Sequence, residues 1–96
     1  MHTVIRRYEG VEDTAEVARR AAGEFGPQLR DQPGFQGYWV VDTGDAVLAT
    51  ITVFETEDAA VASTAAARSW VQENLPELAT STPQVTAGLT TGVAPS

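Results

Sequence analysis

The chain has 96 residues with no cysteine, and its 13 acidic residues face only six basic ones, all arginines, giving a net charge of −7. These figures exclude disulfides, thiolate catalysis and cysteine-ligated metals, and they set a repulsive field against DNA, RNA and anionic membranes. A chain this short buries only about 60 to 68% of its unfolded surface, so the core is thin and a second copy is an expected source of further burial. Residues 3–9, TVIRRYE, mix β-branched and aromatic side chains and read as a first strand. After the turn GVED, Asp13 with Glu16 three residues on has capping-box spacing, in which each side chain satisfies a free backbone N–H at a helix start. Ala18, Ala21, Ala22, Phe25 and Leu29 then fall at helical intervals and predict one buried face. Gly26 before Pro27 is disfavoured in helical conformation, and Pro27 removes a backbone hydrogen bond, so a kink or break is expected there.

Residues 35–41 and 46–54 read as two strands joined by DTGD, with Gly44 supplying the positive φ of a short hairpin. The second strand puts Val47, Ala49, Ile51 and Val53 on one face and Leu48, Thr50, Thr52 and Phe54 on the other, so neither face reads as fully wet. Thr56 opens a second helix carried through Val61, Ala67, Trp70 and Val71 and stopped by Pro76; residues 84–92 read as a last strand and 93–96 as a frayed tail. The order β-α-β-β-α-β specifies an α+β, ferredoxin-like domain over 1–96, with an antiparallel sheet bare of helices on one side. A symmetric homodimer that packs sheet against sheet would cover that side. No apolar run is long enough for a signal peptide or a membrane span, so a cytoplasmic protein is expected.

Chemistry-bearing residues are sparse. His2, the lone histidine, sits at the chain start and could act as a base only if folded over a pocket mouth. Without a second histidine or a cysteine, zinc sites and Ser-His-Asp chemistry are closed, and no metal site is expected. GFQG lacks the spacing and lysine of a phosphate loop, and Asp42 with Asp45 fits a hairpin turn better than a calcium loop. The acidic residues 12, 13, 16, 57 and 58 suit helix N-termini. Tyr38 and Trp39 are adjacent on a strand and must point to opposite faces. Alternation likewise drives one of Arg6 and Arg7 inward, where it needs either a carboxylate such as Glu9, Glu55 or one from a partner copy, or an anionic ligand.

QPGFQGYWVV followed by ITVFETEDAA resembles the antibiotic biosynthesis monooxygenase superfamily of dimeric α/β-barrels, through Pro33-Gly34, Gly37-Tyr38 and an aromatic-acidic strand end leading into a helix. The resemblance implies a homodimer with a pocket in each subunit between helices and sheet, and in some members cofactor-free oxygenation of aromatic polyketides or cleavage of haem. Phe54 stands where those enzymes carry a strand-end tryptophan, and the helix histidine of the haem-cleaving branch has no counterpart, since the only histidine is His2, at the chain start. The expected function is binding of a small apolar or polyketide-like aromatic compound, with no cofactor, in a pocket drawn from Arg6, Phe25, Tyr38, Trp39, Phe54 and Trp70. The alternative is a non-catalytic dimeric interaction or regulatory protein whose core is filled by its own side chains; a cavity below about 300 Å³ would favour it.

Overall fold

The computed structural model describes residues 1–79 and 82–94. In chain order these form β1 (His2–Tyr8), α1 (Thr14–Arg20), a π-helical segment (Ala21–Phe25), α2 (Gly26–Arg30), β2 (Phe35–Gly44), β3 (Val47–Phe54), α3 (Glu57–Asn74), the short α4 (Pro76–Ala79) and β4 (Gln84–Leu89). The four strands make one antiparallel sheet in the order β2-β3-β1-β4, the ferredoxin-like arrangement expected from the element order. Against the sequence expectation, β2 runs further, to Gly44, and β4 stops earlier, at Leu89. Of the tail expected to fray, residues 95–96 lie outside the described part, and 93–94 form no regular structure.

Local chemistry explains the helix boundaries. Asp13 caps α1 by accepting the Glu16 N–H at 3.1 Å, and Thr56 caps α3 by accepting the Ala59 N–H at 3.2 Å. Only half of the expected capping box forms, because the Glu16 carboxylate turns outward to pair with Arg19. The expected break at Gly26-Pro27 is corrected as well: Gly26 is helical, with φ −50° and ψ −49°, and the helical path runs on to Arg30. Pro27 cannot donate to the preceding turn, and the chain absorbs the lost bond by widening into the π segment directly before it. Ala21, Phe25 and Leu29 are buried, whereas Ala22 is exposed; on α3 the buried stripe is Ala60, Ser63, Ala67 and Trp70, and Val61, expected inside, is 63% exposed.

Strand alternation then sorts the side chains. Val4, Arg6 and Tyr8 of β1 are buried beneath the helices, while Ile5 and Arg7 point to the other face. On β3 the half-polar set Leu48, Thr50, Thr52 and Phe54 is the covered one, and the apolar set Ala49, Ile51 and Val53 is left half-buried. The face away from the helices also carries Val41 and Trp39, the latter 54% exposed. The Trp39 indole lies back along its own strand over Gly37, where an added Cβ would stand 2.4 Å from the ring; glycine is required by that close approach.

The β2–β3 hairpin turns through three successive left-handed residues, Gly44 (φ 87°), Asp45 (φ 56°) and Ala46 (φ 61°). Asp42 braces the turn, accepting from the Gly44 N–H at 3.0 Å and from the Thr14 hydroxyl at 2.7 Å, which ties the hairpin to the start of α1. Those two bonds hold its carboxyl below the usual aspartate range, the Thr14 contribution being the larger. Glycine matches this turn where alanine does not, so Ala46→Gly should raise stability by about 0.5 to 1 kcal/mol, a rise in Tm of about 3 to 6 °C. An unchanged or lower melting temperature in a calorimetric scan would contradict this reading of the turn.

Candidate functional site

Between the covered sheet face and the helices, three polar groups converge on an otherwise apolar space. β1 supplies Arg6 and, two residues on and therefore on the same face, Tyr8; β2 supplies Tyr38. The opposite wall is the π segment, through Ala21 and Phe25, together with Ala67, Trp70 and Val71 of α3. Phe25 is the centre of an aromatic cluster: its ring centroid is 5.5 Å from that of Trp70 and 6.0 Å from that of Tyr38, which it meets edge to face at 84°. The π segment thus spaces two of its residues along the cavity wall, a placement in keeping with the frequency of π turns at functional sites.

The inner cavity enclosed by these rings has a volume of about 30 Å³, space for one or two waters. It adjoins an outer cleft of about 430 Å³, with Arg6, Tyr8, Ala67, Val71 and Leu78 forming walls common to both. The outer cleft continues past Thr64, Arg68 and Gln72 of α3 to Pro83 and Val85. The aromatic cavity is therefore nearly filled by its own side chains, as the interaction reading expects, while the cleft beside it falls within the ordinary range of ligand sites, about 300 to 1,000 Å³.

Arg6 is 5% exposed, and its guanidinium donates to the Thr64 hydroxyl at 2.6 Å. Of the options open to the inward arginine, a carboxylate of this chain is not the one taken: among the described residues none pairs with Arg6, and Glu9 pairs instead with Arg7 on the exposed side. No fully buried side-chain nitrogen or oxygen lacks a partner among the described residues, so the guanidinium keeps its remaining contact with the cleft. Burial draws Arg6 below the ordinary arginine value, opposed by Tyr8 and Tyr38; an arginine so placed remains charged at neutral pH. The same burial raises both phenols, Tyr38 to about 12, with Arg6 pulling each of them the other way.

Of the six residues expected to share a pocket, Arg6, Phe25, Tyr38 and Trp70 are brought together. Two are not, and both assignments are corrected. Trp39 is on the opposite face of the sheet, as its alternation with Tyr38 requires. Phe54 is fully buried in the core, edge to face with Phe35 at 5.8 Å, and lines neither cavity nor cleft. His2 lines neither space and stands at the opposite end of β1 from Tyr8. Tyr8 and Thr64 were not foreseen. The signal for Tyr8 was its two-residue offset from Arg6; for Thr64 no local signal exists, since only tertiary packing brings α3 over β1. Among the described residues no group of histidine or carboxylate side chains could hold a metal ion.

No protein-family model matches the chain, and no curated protein matches it by sequence. Solved structures do share its fold. A protein of unknown function from Nitrosomonas europaea superposes with a TM-score of 0.73 at 17% identity, covering 99% of this chain and 94% of its own. The monooxygenase ActVA-Orf6 of Streptomyces coelicolor, solved with the ligand nanaomycin D, gives 0.71 at 19% identity over 99% and 92% of the two chains. SnoaB of Streptomyces nogalater, a cofactor-independent oxygenase, gives 0.61 at 20% identity over 99% and 96%. The likeness to antibiotic biosynthesis monooxygenase-like proteins read from the sequence therefore holds at the level of the fold.

The two phenols supply a direct check on this geometry. Burial favours the neutral form of each, so the stability they contribute is complete below pH 10, the ordinary tyrosine value, and is lost as pH rises through their raised values, about 12 for Tyr38. An ultraviolet titration should find little tyrosinate in the folded protein at pH 10, and Tyr38→Phe should move alkaline unfolding to higher pH by deleting one of the two terms. Half-ionisation of both tyrosines near pH 10 in the folded state would refute the buried, desolvated placement.

Proposed function

We propose that the cleft binds a planar polyketide-like aromatic compound carrying an ionisable phenol or enol, and that the protein promotes its oxygenation without a cofactor. The observation that carries this reading is Arg6, a buried guanidinium with no carboxylate partner among the described residues, facing a cleft that combines Tyr8 and the aliphatic Ala67, Val71, Leu78 and Val85 with the polar Thr64, Arg68 and Gln72. A buried cation without a counter-charge costs stability, and an anionic ligand offsets that cost. The fold shared with ActVA-Orf6, which was solved with nanaomycin D, and with the cofactor-independent oxygenase SnoaB supports the same class of ligand.

The chemistry follows from what lines the site. Among the described residues neither histidine nor carboxylate borders the cavity or the cleft, so proton removal relies on the acidity of the substrate itself, with the proton leaving through the open cleft. Arg6 stabilises the resulting oxyanion, and Tyr8, the phenol that borders the cleft and that burial holds in its neutral form, donates a hydrogen bond to it. The electron-rich carbanion form then reacts with dioxygen. A methylene between aromatic rings loses two hydrogens and takes up one oxygen atom, and the second oxygen atom departs as water, so the substrate is its own reductant. We further propose that two copies pair through the face bearing Ile5, Trp39 and Val41, a patch too apolar to be left in water; sedimentation at twice the chain mass checks this pairing.

Anthrone, whose methylene is flanked by two rings and activated by a carbonyl, is a suitable probe. The protein should accelerate its conversion to anthraquinone over the spontaneous rate, consuming one dioxygen per product with nothing else added. Tyr8→Phe should slow the accelerated reaction about a hundredfold, the usual cost of one oxyanion donor. Absence of any acceleration by the unaltered protein would sink the oxygenase reading and leave the non-catalytic alternative.

A further inference from the structure

Arg6 is not the only arginine in the cleft. Of the six arginines, Arg7, Arg19 and Arg20 form ion pairs, with Glu9, Glu16 and Glu24. Arg68 forms none among the described residues, and it lines the same outer cleft as Arg6. It is placed there by helical spacing: Thr64, Arg68 and Gln72 recur every four residues and present one polar stripe of α3 to the cleft. Among the described residues no aspartate or glutamate lines that cleft, although acidic residues outnumber basic ones 13 to 6 in the chain. Two guanidinium groups in an acid-free concavity, on a protein of charge −7, form a local site for an anion that the rest of the molecule repels.

We infer that the outer cleft contains a carboxylate subsite, in which Arg6 and Arg68 hold the acid group of an aromatic acid while its ring system rests against Tyr8, Val71 and Leu78. This rests on the reading of the cleft as a ligand site and narrows it: the ligand carries a carboxylate set off from its rings. The planar fork of an arginine matches a carboxylate's two oxygens. Phosphate sites are ordinarily built from backbone N–H groups at helix starts and glycine-rich loops, whereas both arginines of this cleft are in the bodies of regular elements, Arg6 in β1 and Arg68 in α3. Arg6 is already fixed by Thr64, whose hydroxyl in turn donates to the Ala60 carbonyl at 3.2 Å, so one half of the subsite is preorganised and Arg68, exposed, closes it from the rim.

Calorimetric titration with 1-naphthylacetate and with its methyl ester tests the subsite. The acid should bind about tenfold more tightly than the ester, and the preference should shrink as salt is raised. Arg68→Gln should reduce the preference for the acid severalfold, Arg6 retaining part of it. Arg30→Gln, the same charge change at an exposed arginine outside the cleft, should preserve it. Equal affinity for acid and ester, or equal effects of the two substitutions, would overturn the subsite while leaving an aromatic pocket in place. Binding of neither compound would overturn the pocket as well. 1-Naphthyl phosphate should bind more weakly than the acid; tighter binding by tenfold or more would overturn the carboxylate assignment in favour of a phosphate ester.

Discussion

The pleat of β1 decides the fate of two neighbouring arginines, and with it the character of both sides of the sheet. Arg6 pairs in register with Thr50 on one side and Val85 on the other, beneath the helices; Arg7, one residue on, pairs with Ala49 and Gln84 and points away from them. A slip of one residue in that register would exchange the two. It would put Arg7, Ile5 and Thr3 under α1 and α3, and leave Val4 and Tyr8 on the open face. The positions of Tyr38 opposite Thr52 and of Trp39 opposite Ile51 follow from the same register, carried across β3. One constraint therefore places the guanidinium and both phenols on the helix-covered face, with Arg6 and Tyr8 bordering the cleft and Tyr38 the inner cavity, and leaves Ile5, Val41 and Trp39 on the other face.

What holds the fold is separate from what occupies the cleft. Phe54, Leu29 and Leu48 are almost wholly buried, and with Phe25, Trp70 and Ala60 they supply the apolar contacts that fix helices to sheet. Arg6 contributes in the opposite sense. Its desolvation is compensated by one hydroxyl acceptor, and an apolar residue of similar volume would pack there at lower cost. A residue that opposes stability in an otherwise conventional core is the pattern expected of a functional group, because activity commonly requires sites that are not optimal for folding.

Much of the fold was legible because its signals are local. The caps at Asp13 and Thr56, the hairpin at Gly44 and the element order are each dictated by residues close in sequence, and each forms. Pro27 misled for a physical reason: its effect on the backbone is certain, but a helix can answer with a wider turn as well as with a break. The site was half legible. Alternation separates Tyr38 from Trp39, yet nothing local distinguishes a phenylalanine sealed in the core, Phe54, from one bordering a cavity, Phe25. The pairing of Arg6 with Thr64, 58 residues away, and the placement of Arg6 and Arg68 on one cleft belong to tertiary packing alone.

The central claim is that Arg6 serves the ligand and not the fold, and thermal unfolding of Arg6→Met with and without a bound aromatic acid tests it most directly. The account predicts a variant that melts no lower than the parent, with a gain of about 0 to 2 kcal/mol, and that loses the ligand-induced rise in Tm which the parent shows. A variant destabilised by about 3 kcal/mol or more that still gains the full rise on adding ligand would contradict it, and would make Arg6 a structural residue of the sheet.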